Sequence, residues 1–395
     1  MLPLRRDFFE IPDDVVYLDG NSLGPLPAAA AGRVSGTVER EWGEGLIRSW
    51  NDAGWMDAPR RIGDRIAPLV GAAPGTVAIG DTLSIKVFQA LSAALAMRPD
   101  RRTVLSDTGN FPSDLYIAQG LIDLVGQGHE LVLVEPEEVE ARVADDVAAV
   151  LLTHVDYRSG RMHDVKGVTK AAHEAGATMI WDLAHSAGAV PVAFRETGAE
   201  FAVGCTYKYL NAGPGAPAFI AVREDLVDTI RPALAGWLGH ADPFAMERDY
   251  RPGAGIARMR VGTPAVIQLA ALDAALDAWD GVAMADVRAA SVELSERFVA
   301  GVERIDPSFR LASPRDPAKR GSHVSFAHPE GYAIVQALIA RGVIGDFRPP
   351  DLMRFGFAPL YLGMADIDRA LAALSEVMEQ EEWRDERFRT RHAVT

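Results

Sequence analysis

ATMIWDLAHSAGAVP (177–191) and FAVGCTYKYLNAGPG (201–215) are the two stretches that decide the fold. Each begins with an apolar run of strand length and continues into polar residues and a glycine-containing turn. Asp182 and His185 follow the first run, and Lys208 lies between two tyrosines near the end of the second. Ligands of α/β sheets bind at the carboxyl ends of the strands, so these side chains are candidates for a functional site.

Similar runs lie on both sides of these two stretches. Further strand candidates are TVLS (103–106), LVLVEP (131–136), AAVLLTHV (148–155) and AFIAV (218–222). Segments with helical spacing separate them, such as DVKGVTKAAHEAG (164–176), which ends at a glycine. The alternation from about residue 75 to 225 predicts an α/β domain with a largely parallel central sheet.

The chain outside this region has a different composition. Residues before 56 are rich in Gly, Pro and Trp and predict an irregular arm with one helix near 28–47. A helix pair (264–280 and 285–305), short strands around 323–328, 343–348 and 352–357, and helices near 330–341 and 365–380 are predicted after about residue 256. We therefore predict three parts: an arm and helix (1–55) belonging to the small domain, a large α/β domain (56–255) and a smaller α+β domain (256–395). The charged tail, 379–395, is predicted to be solvated.

Composition excludes several classes of function. The formal net charge is −15 and no dense Lys/Arg run is present, which argues against nucleic acid or an anionic membrane as partner. Cys205 is the only cysteine, so neither an intrachain disulfide nor a cysteine-rich metal site can form, and we predict no metal. No run approaches the ~18 apolar residues of a membrane span, and the N-terminus lacks a signal-peptide core. We expect a cytoplasmic protein.

Lys208 is the strongest candidate for a catalytic amine. The chain has five lysines: Lys86, Lys166, Lys170, Lys208 and Lys319. Apolar and aromatic neighbours of Lys208 would lower the pKa of its ammonium group, and a neutral amine can condense with the aldehyde of pyridoxal phosphate. The other four lysines lie in helix-like or Pro/Arg-rich contexts. An ordinary surface lysine is the alternative for Lys208.

Other residues suit the remainder of such a cofactor. Asp182 could pair with a protonated pyridine nitrogen, although a loop or helix-capping aspartate is an equal alternative. The helix that begins in AIGDTLSIKVFQALSAALAM (78–97) could hold a phosphate through the backbone at Leu83 and Ser84, or it is only an ordinary capped helix. In GNFPSDLY (109–116), Phe111 could stack on a flat ring and Asp114 could hydrogen-bond near it, unless they are a core residue and a cap.

Together the segments resemble the kynureninase family, fold-type-I pyridoxal-phosphate enzymes related to the class V aminotransferases. The matching motifs are YLDGNSLGPLP (17–27), RSWNDAGW (48–55), FPSD (111–114), HVDYRSGRMHD (154–164), WDLAHSAGAVP (181–191), TYKYLNAGPG (206–215), GWLGH (236–240) and RVGTPA (260–265). The resemblance implies a large domain with a mostly parallel, seven-stranded type of sheet flanked by helices, and a smaller C-terminal α+β domain. It also implies a homodimer with shared active sites.

The resemblance also implies a role for each matching residue. Lys208 would tether the cofactor and act as base, Asp182 would hold the pyridine nitrogen, and Tyr207 would help to move protons. The implied cofactor contacts are His185 at the phenolic oxygen, Phe111 on the ring, Thr153 and Asp114 along the pocket, and Leu83, Ser84, Tyr207 and, from the second subunit, Trp237 and Thr263 at the phosphate. The implied substrate contacts are Arg354 at the carboxylate and Ser22, Trp50 and Asn51 at the aryl end.

The implied reaction is the hydrolytic cleavage of the Cβ–Cγ bond of L-kynurenine or its 3-hydroxy form, which yields anthranilate or 3-hydroxyanthranilate and L-alanine. That reaction belongs to tryptophan catabolism through the kynurenine pathway, which leads to NAD biosynthesis. Gly262-Thr263 stands where some members have Ser-Asn, and a histidine near Asn51 is missing, so the preferred ring stays open. The alternatives are another lyase or an aminotransferase of the same superfamily, and a non-catalytic regulatory module that binds the cofactor. A cysteine desulfurase is disfavoured because Cys205 precedes Lys208, within its predicted strand.

Overall fold

The N-terminal segment is tied to the C-terminal part of the chain. The computed structural model describes residues 2–391. Its first elements are β1 (Phe9–Glu10), β2 (Val16–Tyr17), β3 (Leu26–Pro27), α1 (Ala28–Gly36), a π-helix (Thr37–Gly45), α2 (Ser49–Asp52) and α3 (Ala58–Ile66). The helix predicted near 28–47 is therefore α1 continued by the π-helix. β2 pairs in parallel with a strand at Val343–Ile344, which joins the arm to the end of the chain.

A seven-stranded sheet forms the centre of the large α/β region. Its strands are β4 (Val77–Ile79), β5 (Thr103–Asp107), β6 (Glu130–Val134), β7 (Val147–Thr153), β8 (Thr178–Asp182), β9 (Phe201–Gly204) and β10 (Phe219–Val222), in the order β4-β10-β9-β8-β7-β5-β6. The connecting helices are α4 (Leu83–Met97), α5 (Pro112–Val125), α6 (Val139–Arg142), α7 (Val165–Glu174) and α8 (Phe194–Thr197). Only β10 runs antiparallel to its neighbours, which confirms the mostly parallel sheet.

The central strands are buried along their whole length. Every residue of β7, β8 and β9 is buried, as expected for parallel strands covered on both faces by helices. Parallel register places Thr153 beside Asp182, and Asp182 beside Val203. The carboxyl ends of these strands therefore meet at one edge of the sheet, and the polar residues that follow the apolar runs are brought together there.

The strand that precedes Lys208 is shorter than its apolar pattern predicted. β9 ends at Gly204, and the backbone then folds back so that the Ala212 N–H donates to the Thr206 carbonyl at 3.0 Å. Asn211 takes a left-handed conformation (φ 59°) in this turn. Cys205 and Lys208 consequently lie in a loop, and the prediction that Cys205 belongs to the strand was wrong.

The C-terminal part is an α+β unit, as predicted. It contains α9 (Val266–Leu276), α10 (Met284–Ile305), β11 (Arg310–Leu311), β12 (His323–Ala327), α11 (Gly331–Ala340), β13 (Val343–Ile344), β14 (Asp346–Arg348), β15 (Leu352–Gly356) and α12 (Met364–Glu379). Four strands form an antiparallel sheet in the order β11-β12-β15-β14. The tail is not fully solvated, since Phe388 is buried against the core. Residues 392–395 of the tail lie outside the described residues.

Residues 2–391 contain neither a membrane-spanning helix nor a cluster of metal ligands. None of the helices there combines the length and the apolar character that a membrane crossing requires. Within the same range, no group of three or more His, Cys, Asp or Glu side chains is arranged to hold a metal ion.

Candidate active site

Lys208 is half-buried beside His185 and Tyr207. Its Nζ is 3.3 Å from His185 Nε2 and 5.8 Å from the centre of the Tyr207 ring. Burial lowers the pKa of the Lys208 ammonium group, and the nearby Cys205 and Asp182 oppose that shift. The amine is therefore biased toward its neutral, nucleophilic form, as a group that condenses with an aldehyde needs to be.

Asp182 is buried at the end of β8. The Ala184 N–H donates to Oδ1 at 2.8 Å, and the Thr153 hydroxyl donates to Oδ2 at 3.3 Å. Burial raises the pKa of Asp182 to about 6, with Lys208 opposing. A cationic ring nitrogen beside this carboxylate would offset the burial, so the site fits the pyridinium of pyridoxal phosphate.

Asn110 is a member of this site that sequence reasoning missed. Its Oδ1 accepts from the Thr153 hydroxyl at 2.5 Å, and its Nδ2 donates to Ser106 Oγ at 2.9 Å and the Leu151 carbonyl at 3.2 Å. These contacts hold the Thr153 hydroxyl between Asn110 and Asp182, whose oxygens share its single proton, with Asn110 the nearer acceptor. The only sequence signal was its position directly before FPSD.

Asp114 and Phe111 lie at the start of α5. Asp114 is buried, and its Oδ2 has no hydrogen-bond partner within residues 2–391. Burial raises the pKa of Asp114, and the neighbouring Asp182 adds to the shift. Phe111 is 41 % exposed, with Tyr157 packed edge-on at 5.1 Å between ring centres. An unpaired buried carboxyl oxygen and an open aromatic face both suit a flat, polar-edged ring.

The N-termini of α4 and α5 meet at this edge of the sheet. The Oγ atoms of Ser84 and Ser113 lie 3.2 Å apart, and Thr82 at the α4 N-cap makes no side-chain capping bond. The first-turn N–H groups of α4, at Leu83 and Ser84, are therefore available to an anion. Ser113, which the sequence analysis did not single out, adds a second hydroxyl to this phosphate-compatible end.

Arg354 lies in the middle of β15 and is almost completely buried. Its Nε donates to Asp346 Oδ1 at 2.8 Å, its Nη2 to Ser22 Oγ at 2.7 Å, and its Nη1 to the Tyr157 carbonyl at 2.5 Å. Nη2 also bonds Asp346 Oδ2. Asp346 thus holds one edge of the guanidinium, and the edge that faces Ser22 has the hydroxyl as its replaceable partner.

Ser22 contacts the Arg354 cluster, and no hydrogen bond within residues 2–391 joins it to Trp50 or Asn51, with which the prediction grouped it at the aryl end. Its hydroxyl donates to Asp346 Oδ2 at 2.7 Å and accepts from Arg354. The chain turns at 17–27 so that Ser22 reaches the C-terminal sheet, a contact that local sequence could not indicate. The position favours a role at the carboxylate end of a ligand.

Trp50 and Asn51 lie in another part of the surface. The ring of Trp50 packs edge-on against Trp55 at 5.5 Å, and α2, which carries Asn51, is followed by a loop whose Met56 carbonyl accepts from Arg260 at 3.4 Å. Within residues 2–391, no hydrogen bond or ring contact links this group to Lys208.

Trp237 and Thr263 lie on two loops that contact each other. The Leu238 N–H donates to the Val261 carbonyl at 3.3 Å. Trp237 is 39 % exposed and Thr263 is exposed. Both side chains are accessible to a second molecule, which leaves their predicted role toward another subunit open to test.

Asp19 faces the Arg354 cluster with a perturbed carboxyl group. Burial, together with Asp346, raises the pKa of Asp19 to about 7, while Arg354, Ser22 and Arg348 oppose the shift. The folded chain therefore binds more protons than the unfolded chain between about pH 4 and pH 7. Its free energy of unfolding should fall as the pH rises through that window, by at most about 1.4 kcal/mol per pH unit from this group.

Asp19→Asn should flatten this part of the pH profile. The variant cannot ionise, so its stability relative to the native chain should increase from pH 4.5 to pH 7.5. Denaturant unfolding at several pH values measures the difference. Parallel profiles for the two proteins would show that Asp19 ionises normally in the folded chain.

Cys205 cannot act as a nucleophile toward a ligand here. It is buried, and its Sγ lies 3.8 Å from the Ala184 carbonyl. Burial raises the pKa of its thiol. A neutral, enclosed thiol disfavours desulfurase chemistry.

Solved structures share the fold of this chain over nearly its whole length. A cysteine desulfurase from Thermococcus onnurineus NA1 superposes with a TM-score of 0.80 over 96 % of this chain and 99 % of its own, at 19 % identity. A C-DES mutant with glycine covalently linked to its PLP cofactor has a TM-score of 0.81, over 94 % and 99 %, at 19 % identity. The chain therefore has the fold of the fold-type-I pyridoxal-phosphate enzymes.

Sequence relatives narrow the class. The chain is 50 % identical to a kynureninase of Pseudomonas fluorescens over 402 aligned positions, which cover 100 % of this chain and 96 % of that protein. It is 48 % identical to a kynureninase of Burkholderia pseudomallei strain K96243 with the same coverage. Residues 287–374 match the family model described as kynureninase C-terminal domain. The chain belongs to the kynureninase family and is an enzyme of the hydrolase class.

Proposed function

We propose that the chain hydrolyses the Cβ–Cγ bond of L-kynurenine, or of its 3-hydroxy form, to an anthranilate and L-alanine in tryptophan catabolism. The observation that carries the proposal is the convergence of a desolvated amine, Lys208, and a buried carboxyl group, Asp182, in a chain that resembles kynureninases from end to end. When bound, pyridoxal phosphate supplies an electron sink for the pair of electrons released at the substrate α-carbon.

The side chains of this site divide the remaining work. Asp182 would keep a proton on the pyridine nitrogen, and the Thr153 hydroxyl, 3.3 Å away, would hold that carboxylate in place. Lys208 would hold the cofactor and then take the α-proton, since burial favours its neutral form. Burial also raises the pKa of Tyr207, so its phenol keeps a proton that it can donate to the three-carbon fragment.

The cofactor would be held by groups along the same edge of the sheet. The phosphate would bind at Leu83, Ser84 and Tyr207, and the ring would lie against Phe111 with Asp114 at its edge. His185 would contact the phenolic oxygen, because it already lies 3.3 Å from the Lys208 nitrogen. Two of these groups are open to a ligand: Asp114 Oδ2 has no hydrogen-bond partner within residues 2–391, and Phe111 is 41 % exposed.

Arg354 would bind the substrate carboxylate at the edge now contacted by Ser22. Arg354→Lys should raise KM for kynurenine at least about tenfold, with kcat changed less than about threefold, because an ammonium group cannot replace the two-pronged contact. Steady-state kinetics measure both constants. Arg310→Lys, at an exposed arginine of the same sheet, is the matched control. An unchanged KM in Arg354→Lys would rule out the carboxylate contact.

Product identification tests the reaction itself. The purified holoenzyme should release one anthranilate and one L-alanine for each kynurenine consumed, and it should need no keto-acid co-substrate. Comparing kcat/KM for kynurenine and 3-hydroxykynurenine would define the ring preference. A requirement for a keto acid would instead indicate an aminotransferase.

We also propose a homodimer in the cytoplasm whose active sites are shared. Support comes from the surface: Trp237 and Thr263 are exposed, and so are the apolar side chains of Trp42, Leu46, Ile47 and Ile267. Trp50 and Asn51 would reach the aryl end of the partner's substrate from this face. Sedimentation of the holoenzyme at twice the chain mass would support the dimer, and a monomer would contradict it.

The division into parts at 1–55, 56–255 and 256–395 is likewise proposed.

A further inference from the structure

Lys86 is a buried lysine, although its sequence context gave no sign of burial. Its Nζ lies 3.1 Å from Asp81 Oδ2, 3.0 Å from Gln89 Oε1 and 3.3 Å from the Met259 carbonyl. An ammonium group has three donors, and here each has an acceptor. Unlike Lys208, Lys86 is therefore committed to neighbours and is not available to a ligand.

The lysine pairs with a carboxylate at the entrance to α4. Asp81 lies directly before the α4 N-cap and has the left-handed φ of 56°, which is uncommon outside glycine. Its backbone is tied to the residue directly before β10, since the Ala218 N–H donates to the Asp81 carbonyl at 3.0 Å. Such a conformation persists only where surrounding contacts hold it. The bond from Lys86, in the first turn of α4, is one of those contacts.

The Asp81 carboxylate would repel an anion bound at the N-terminus of α4. Asp81 is two residues from Leu83, and its side chain is 32 % exposed. A cofactor phosphate at Leu83 and Ser84 would carry close to two negative charges near this carboxylate. Like charges at such range repel appreciably, because the protein screens less than water does. The Lys86 ammonium, 3.1 Å from Asp81 Oδ2, would offset that repulsion.

Gln89 strengthens the arrangement from the next turn of the helix. Its Nε2 donates to the carbonyls of Met259 and Leu234, both at 3.2 Å, while its Oε1 accepts from Lys86. Three acceptors thus hold the Lys86 ammonium in place, so it does not move to contact the phosphate directly. It acts on the phosphate only through Asp81 and the turn that Asp81 shapes.

We propose that Lys86 is a positioning residue for the cofactor phosphate, which neutralises Asp81 and fixes the turn that starts α4. The proposal rests on the phosphate assignment within the proposed function, but it does not depend on which substrate is cleaved. It predicts a specific defect: loss of Lys86 should weaken binding of the phosphorylated cofactor and spare binding of the same ring without its phosphate.

Titration of the apo full-length chain with pyridoxal phosphate and with pyridoxal tests this. For Lys86→Met, the Kd for pyridoxal phosphate should rise about tenfold or more, and the Kd for pyridoxal should change less than about twofold. Lys170→Met removes an exposed lysine of α7 and is the matched control, with both constants unchanged. Cofactor absorbance reports binding directly and needs no assay of turnover. The test of Lys86 therefore stands even if the chain does not cleave kynurenine.

A second variant tests the charge argument. Asp81→Asn combined with Lys86→Met removes the unpaired carboxylate, and the Kd for pyridoxal phosphate should return to within about threefold of the native value. Lys86→Gln, which loses the charge and keeps a hydrogen-bonding group, should repeat the single-variant result if the methionine variant fails to fold. An equal loss for both ligands, an unchanged Kd for pyridoxal phosphate, or no recovery in the double variant would overturn the proposal.

Discussion

Lys208→Ala should lower kcat for kynurenine by at least about 10⁴-fold, the largest effect of any substitution considered. The change removes both the covalent tether and the base, because the same nitrogen serves both roles. The nearest side chain, His185, cannot take over, since burial and the adjacent lysine lower the pKa of its imidazole and it has no free amine. Steady-state turnover, with product measured by its fluorescence, gives the rate.

A matched control and a rescue sharpen this result. Lys170→Ala removes an exposed lysine and should keep full activity. A small primary amine added to Lys208→Ala should restore part of the rate, since it supplies a base in the vacated volume without repairing a damaged fold. Turnover of Lys208→Ala within tenfold of the native rate, without added amine, would exclude Lys208 as the base.

Asp182→Asn should lower kcat by about 10²- to 10³-fold. The amide keeps the shape of the carboxylate and the bond from the Ala184 N–H at 2.8 Å, but it carries no charge to hold a proton on the pyridine nitrogen. The bound cofactor should show a shifted absorbance spectrum, because the ring nitrogen would lose its proton. Stopped-flow absorbance measures the spectrum and the α-proton removal step together.

The conservative and distant variants complete that experiment. Asp182→Glu retains the charge and should recover more activity than Asp182→Asn, while Asp225→Asn, at an exposed carboxylate, should leave the rate unchanged. If Asp182→Asn turns over within threefold of the native enzyme with an unaltered spectrum, the carboxylate has no electrostatic role in the reaction.

The sequence predicted the parts of the site that follow directly from strand patterns. Parallel register brings the ends of neighbouring strands together, so Asp182 could be placed at the site from its position after an apolar run, whereas Thr153 was implied only by the family resemblance. Lys208 was recognisable because aromatic and apolar residues surround it in the chain. Its loop was mistaken for strand because the apolar pattern continues past the last backbone pairing, at Gly204.

Contacts between distant segments could not be predicted in the same way. Ser22 and Arg354 are 332 residues apart, and their bond depends on how the arm packs against the C-terminal sheet. Lys86 looked like an ordinary helix lysine because its partner Met259 is 173 residues away. Asn110 gave no periodic signal, since its role arises only where β5 and β7 end side by side. Burial of a polar side chain is a property of the whole fold, so a local pattern does not indicate it.

The central claim is that the Lys208 nitrogen carries the cofactor. Borohydride reduction of the holoenzyme, followed by proteolysis and mass spectrometry, tests it most directly. The reduced cofactor should be found on the peptide that contains Lys208 and on no other lysine. Label on Lys86, the other desolvated lysine, or cofactor that is released unreacted after reduction, would contradict the claim.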